Sequence, residues 1–208
     1  YGGNDYLSGD AGWDNIYGGT GHDYLVGGDS YDSLYGQEGN DILDAGAEGG
    51  ELIGGTGNDV YLVRDNGSWT RISENDSTPG NIDTIKMPVG VSPEDVTVFK
   101  QYIQYDLYII FSKLSSRYSD PDDVFYAGGT VIAIDDWHRG DQYKVERMEF
   151  ADGTVWDAAT INALANTPTE AIDHIDGLDS DDIIDCLGGS DYVFSMGGND
   201  TIFGGAGL

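Results

Sequence analysis

Basic residues are scarce in this chain: Lys and Arg total 9 against 38 Asp and Glu, a formal net charge of -29 over 208 residues. Nucleic acid and anionic membrane surfaces are held by basic patches, so neither is an expected partner. There is one cysteine, Cys186, and therefore no internal disulfide to hold a small core together. The histidines His22, His138 and His174 lie far apart and none stands in an H-E-x-x-H frame, which removes the zinc-peptidase arrangement. No apolar run is long enough to span a bilayer, so no membrane insertion by this segment is expected.

What the chain has in quantity is glycine, 32 residues, and acid, and both recur at fixed intervals. In rows of nine, one column reads Asp5, Asp14, Asp23, Asp32, Asp41, Gly50, Asp59. Two places on, an apolar column reads Leu7, Ile16, Leu25, Leu34, Leu43, Leu52, Tyr61. The spacing returns near the carboxyl end, where Asp173, Asp182, Asp191 and Asp200 precede Ile175, Ile184, Val193 and Ile202. A fixed internal period predicts a stacked repeat architecture. One inward residue in nine fits neither an amphipathic helix nor an ordinary hairpin, because a three-residue strand buries too little alone. Each row therefore reads as a short strand, such as Tyr24-Leu25-Val26, followed by a six-residue turn in which glycine supplies positive φ and close backbone approach.

Two rows make one coil, so alternate rows stack their turns at about 4.8 Å. Bare carboxylates at that spacing repel, and turn carbonyls without ladder partners add unpaired oxygen; a hard cation resolves both. An all-oxygen, irregular ligand set with no thiolate or imidazole favours Ca²⁺ over Mg²⁺ or Zn²⁺.

The rows "GGTGHDYLV", "GDAGWDNIY" and "GGTGNDVYL" resemble the G-G-x-G-x-D-x-U-x nonapeptide of RTX proteins, the haemolysin-type calcium-binding repeat. The resemblance implies a parallel β-roll. The intervening stretches "NIDTIKMPVGVSPEDVTV", "VIAIDDW" and "MEFADGTVWDAATI" resemble the domain found beside such repeats in large RTX proteins. The expected fold is all-β: β-roll segments at 1–63 and 168–208 flanking a compact β domain with one short helix at 64–167. The expected metal set is Asp5, Asp14, Asp23, Asp32, Asp41, Asp59, Asp173, Asp182, Asp191 and Asp200. Turn residues Gly9, Ala11, Gly18, Thr20, Gly27, Asp29, Gly36 and Glu38, with Gly12, Gly21, Gly39 and Gly57 in the glycine column, complete it. Pairing carboxylates on alternate rows gives about six ions, with the Asp32–Gly50 pairing lacking its second acid. Asp23 would serve two pairs, Asp59 one, and Gly50→Asp would restore the missing site if the backbone there tolerates a side chain.

In the intervening segment, strands are expected at Asp83–Lys86, Val96–Lys100, Leu107–Phe111, Val131–Asp136, Val145–Phe150 and Thr154–Trp156, with Asp157 capping a helix that turns Ile161 and Leu164 inward. The loop Ser115–Asp123 is polar and contains the Asp120-Pro121 bond, read as a turn. Trp137, beside Asp135, Asp136 and His138, reads as core, Ser30 as a repeat position, and Cys186 as a small residue in place of a turn glycine. Outside the roll, Tyr6 aligns with Tyr24 and Tyr17 with Tyr35 as stacked ladders. The chain opens inside one row and stops inside another, so it reads as a fragment of a longer chain. The expected function is a non-enzymatic calcium-binding module of a large RTX protein, exported by type I secretion and folding outside the cell on calcium. The alternative is a recognition module with a glycan or protein ligand.

Overall fold

The computed structural model describes residues 2–100, 106–111, 129–169 and 173–206. The first array forms β1 (Tyr6–Ser8), β2 (Asn15–Thr20), β3 (Tyr24–Val26), β4 (Asp32–Glu38), β5 (Ile42–Asp44), β6 (Gly49–Thr56) and β7 (Val60–Leu62). Odd and even strands stack in parallel on opposite walls, each in the register of the apolar column. Leu7 faces Leu25, then Leu43 and Tyr61. On the other wall Ile16 faces Leu34 and then Leu52. Leu25, Leu34, Leu43, Leu52 and Tyr61 are fully buried between the walls. Each such side chain contributes about 1.5–3 kcal/mol by burial, less than the backbone entropy of ordering its nine-residue row. Rows are stable only as a stack.

The expected three-residue strand holds on the odd wall. On the even wall pairing runs on into the turns, through Gly19↔Gln37 and Thr20↔Glu38, which makes β2, β4 and β6 six to eight residues long.

The intervening segment contributes β8 (Trp69–Ile72), β9 (Thr84–Lys86), β10 (Thr97–Lys100), β11 (Leu107–Phe111), β12 (Thr130–Ile134), β13 (Arg147–Glu149) and β14 (Val155–Asp157). Neither seven-stranded sheet breaks at residue 63; their orders are β1-β3-β5-β7-β9-β13-β14 and β10-β11-β12-β8-β6-β4-β2. β8 and β12 extend the even wall in parallel, Leu52 facing Ile72 and Ile72 facing Ile134. β9 and β13 extend the odd wall, Tyr61 facing Ile85 and Ile85 facing Met148. Antiparallel β14 ends one wall, and antiparallel β11 and β10 end the other. One hydrophobic core runs from Ile16 through Trp137 and Met148 to Ala165.

All six expected strands of this segment are present within a few residues; β8, which carries Ile72 into the core, was not foreseen. The helix α1 (Ala158–Ala165) is capped by Asp157, whose side chain accepts from the Thr160 N–H at 2.7 Å. It buries Ile161 and Ala165, one helical turn apart, and leaves Leu164 half-buried, so the inward pair differs from the expected one. The segment Ser115–Asp123, with its Asp120-Pro121 bond, lies outside the described residues.

The second array forms β15 (His174–Asp176), β16 (Ile183–Asp185), β17 (Tyr192–Phe194) and β18 (Thr201–Phe203), paired in parallel as β15 with β17 and β16 with β18. Its small core holds Ile175, Ile184 and Cys186, with Val193 packed against it. Lys100, in the inward column of β10 opposite Leu107, ties this array to the rest: its ammonium lies 2.6 Å from Asp176 and also donates to Asn166 at the end of α1.

Candidate metal centres

The stacked turns place the acids in two columns, one at each edge of the first roll. At one edge the Asp5 N–H donates to Asp23 Oδ1 at 2.7 Å, Asp23 to Asp41 at 2.7 Å and Asp41 to Asp59 at 2.8 Å. At the other, Asp14 donates to Asp32 Oδ1 at 2.9 Å. In the second array Asp173 donates to Asp191 and Asp182 to Asp200, both at 3.1 Å. These are the six pairs anticipated from the row spacing.

One carboxylate oxygen of each pair thus has a backbone donor. In the second array Oδ2 of Asp173 and Asp182 also accepts, from the Thr169 and Leu178 N–H groups at 2.5 and 2.6 Å. The first array differs. Oδ2 of Asp14, Asp23, Asp32, Asp41 and Asp59 is buried without a hydrogen-bond partner. A buried, unpaired carboxylate oxygen carries a full desolvation penalty unless a proton or a cation is supplied. Burial accordingly pushes the carboxyls of Asp32, Asp41 and Asp173 above the usual range, and that of Asp59 up to about 7, against the opposing effect of the backbone donors.

The first-position glycines sit against these oxygens. A Cβ on Gly18 would lie 2.5 Å from Asp23 Oδ2 and 2.7 Å from the Gly36 carbonyl oxygen, so the space beside the orphaned oxygen is open only because no side chain fills it. Gly9, Gly27 and Gly36 stand in the same relation to Asp14, Asp32 and Asp41. In the glycine column, Gly39 has φ 137 and the Gly21 carbonyl occupies the place of its Cβ. Gly12, Gly21 and Gly57 also have positive φ, and Ser30 takes the same column at φ 80, as its repeat position requires.

The turn backbone is more fully paired than expected. The carbonyls of Thr20 and Glu38 accept from the N–H groups of Gly3 and Gly21, at 2.8 and 2.9 Å, and Ala11 bridges to Asp29. A carbonyl has a second lone pair, so these oxygens keep one acceptor site each. The donor set, buried carboxylate oxygens with adjacent carbonyls and open space, suits a hard cation.

Two expectations change. Asp59 is not the end of its column: its own N–H donates to Asp83 Oδ1 at 2.8 Å, and the Asp83 N–H to Glu146 Oε2 at 2.8 Å. Asp59 therefore serves two pairs. Gly50 is a strand residue opposite Asp32, and a Cβ there would collide with the Asp32 carbonyl, so Gly50→Asp cannot restore a site without moving backbone. Nearby, Asp44 forms an ion pair with Arg64 at 2.6 Å, a protein cation beside the gap in the acid column.

Asp83, Glu146 and Glu74 were missed. The signal was present for two of them, because Asp83 precedes Ile85 and Glu146 precedes Met148 by the two places that separate Asp59 from Tyr61. The irregular number of residues between turns hid it.

The cluster Asp135, Trp137 and His138 is built into the core, with Asp135 Oδ1, Trp137 Nε1 and His138 Nε2 buried without hydrogen-bond partners. Trp137 is fully buried, and Asp135 accepts from Arg71 at 2.7 Å and from Ser73 at 2.5 Å. Burial first, and then the Lys100 charge, hold the His138 imidazole neutral with its pKa down at about 4. The outer tyrosines stack as expected, Tyr6 on Tyr24 with centroids 5.5 Å apart and Tyr17 on Tyr35 at 4.6 Å; His174 on Tyr192 continues the motif at 4.7 Å.

The geometry is that of a parallel β-roll whose turns gather carboxylate and carbonyl oxygens. The family described as RTX calcium-binding nonapeptide repeat matches residues 1–25, 17–49 and 176–207, and the haemolysin-type calcium binding protein related domain matches 127–160. The matched stretches fall in both arrays and carry the RTX calcium-binding nonapeptide pattern. Among solved structures, the AlgE6R3 subunit of the Azotobacter vinelandii mannuronan C5-epimerase aligns at 23% identity, covering 71% of this chain and 82% of that one, with a TM-score of 0.44. No curated protein matches the chain. Among the described residues, no helix is long and apolar enough to cross a membrane.

Proposed function

We propose that the chain is a structural module of a larger secreted RTX protein, held unfolded at low calcium and folded by calcium outside the cell after type I export. The observation that carries this is the row of buried Oδ2 atoms without partners, repeated at Asp14, Asp23, Asp32, Asp41 and Asp59. The acid pairs and the adjoining turn oxygens hold the ions, about six in number, and each ion joins two turns of the same edge. When bound, calcium supplies charge neutralisation of the stacked carboxylates. The chain's own part is to align the acids through the N–H to Oδ1 bonds and to exclude water by packing the apolar column.

Extracellular sites bind with Kd of about 10⁻⁴ to 10⁻³ M. Several linked sites then stabilise the fold by several kcal/mol at millimolar calcium and negligibly below micromolar. The test is circular dichroism through a calcium titration, with an ion count at saturation. The expected result is a cooperative gain of sheet that magnesium does not reproduce. Full sheet signal and an unchanged melt in chelator would overturn the proposal. The module carries no reaction of its own in this reading, and glycan or partner recognition by the tyrosine ladders would show as calcium-dependent capture on a glycan array.

A further inference from the structure

Where the first array passes into the non-repeat segment, the long turn between β8 and β9 brings Glu74, which no repeat column contains, up to Asp59 and Asp83, which continue the acid column. One ligand oxygen from each of Asp59, Glu74 and Asp83 lies within 4.8 Å of the other two. All three residues are buried: Asp59 is 0% exposed, Asp83 1% and Glu74 3%. Glu74 is the decisive one. It lies on no repeat column, and both its carboxylate oxygens are buried without a hydrogen-bond partner, as is Asp59 Oδ2. Asp83 is held in place from two sides, Oδ1 accepting from the Asp59 N–H at 2.8 Å and Oδ2 from Asn81 Nδ2 at 3.0 Å. Asp76 fastens the same turn to the last repeat, accepting from the Gly57 N–H at 3.0 Å. Among the described residues, no Lys, Arg or His forms an ion pair with any of the three.

Three carboxylates packed without a counter-charge are untenable as anions in a low-dielectric interior. We propose that Asp59, Glu74 and Asp83 form a separate cation site that takes Ca²⁺. The ligands are hard oxygens with no imidazole or thiolate, which disfavours zinc. Three acids converge here where each repeat pair offers two, and affinity of oxygen sites rises with ligand charge, so this ion binds more tightly than those of the repeats. It spans the last repeat turn and the first non-repeat turn, and so fixes the register in which the array grows from the intervening segment.

The experiment is isothermal titration of calcium into the chelated chain, with bound ions counted at saturation, for wild type, Glu74→Gln and Glu74→Met. Wild type should show one ion bound at least about tenfold more tightly than the rest. Both variants should lose that one tight ion, keep the others, and reach the wild-type sheet signal at saturating calcium. An unchanged ion count and affinity profile in either folded variant overturns the site. Equal competition by magnesium at the tight step overturns its assignment to calcium. This site and calcium at the repeats fail separately: a wild-type chain binding a single ion, lost in Glu74→Gln, would support the junction site and overturn the repeat sites.

Discussion

Replacing Asp41 by asparagine separates the two jobs its carboxylate performs. Oδ1 accepts from the Asp23 N–H at 2.7 Å, a role that an asparagine oxygen retains, whereas the buried Oδ2 becomes an NH₂ group that cannot ligate a cation. Asp41 stands in two pairs, with Asp23 above it and Asp59 below. At calcium a hundredfold above Kd, each ion bound only by the folded state contributes about 2.7 kcal/mol, so losing two costs about 5 kcal/mol. Asp14→Asn is the control. Asp14 has one same-edge acid partner, Asp32, and should lose one ion and about 2.7 kcal/mol. The assay is ion counting on the refolded variants together with the calcium midpoint of the dichroism transition. Asp41→Asn should bind about two ions fewer than wild type and show the larger rise in midpoint, while Asp14→Asn binds about one fewer. Equal losses from the two variants would refute the sharing of carboxylates between successive turns. An unchanged count in Asp41→Asn would refute Oδ2 as a ligand.

Burial raises the carboxyls of Asp59 and Asp83 to about 7 and that of Glu74 to about 10, so without metal the folded state holds protons that the unfolded chain releases near the ordinary 3.8 to 4.5. That contribution is full below the ordinary carboxylate range and is lost as pH rises through about 7 for Asp59 and Asp83 and on through about 10 for Glu74, so the chelated chain should show more sheet at about pH 5 than at about pH 8, with calcium abolishing the difference; sheet content that grows with pH in chelator would contradict it. Lys100→Met should remove the tie to Asp176 and Asn166, costing about 2 kcal/mol in the docking of the second array. Hydrogen exchange should then quicken in β15 to β18 and stay unchanged in β2 to β6; uniform protection would show that the contact does not hold the array.

The nine-residue column of Asp followed two places later by an apolar residue was enough to give a stacked solenoid, its inward residues and the six stacked acid pairs, because a strict period forces every row to repeat the same contacts with its neighbours; the parallel roll came from the resemblance of those rows to the RTX nonapeptide. Trp137 in the core, the Asp157 cap and the tyrosine ladders were equally legible, since each rests on a local rule of burial, capping or cross-strand alignment. What the sequence could not show was the continuation of both walls past residue 63, because the turns there differ in length and break the period while the strands keep their register. The same irregular spacing hid Asp83 and Glu146 as heirs to the acid column. Gly50 looked like a missing acid; only the packed sheet reveals that the Asp32 carbonyl occupies the space an added side chain would need. Glu74 stands on no repeat column, and only the folding of a long turn over the end of the array brings its carboxylate to those of Asp59 and Asp83. Periodicity fixes contacts between equivalent positions; contacts between inequivalent ones depend on where an irregular turn is laid down, and that is settled by packing in three dimensions.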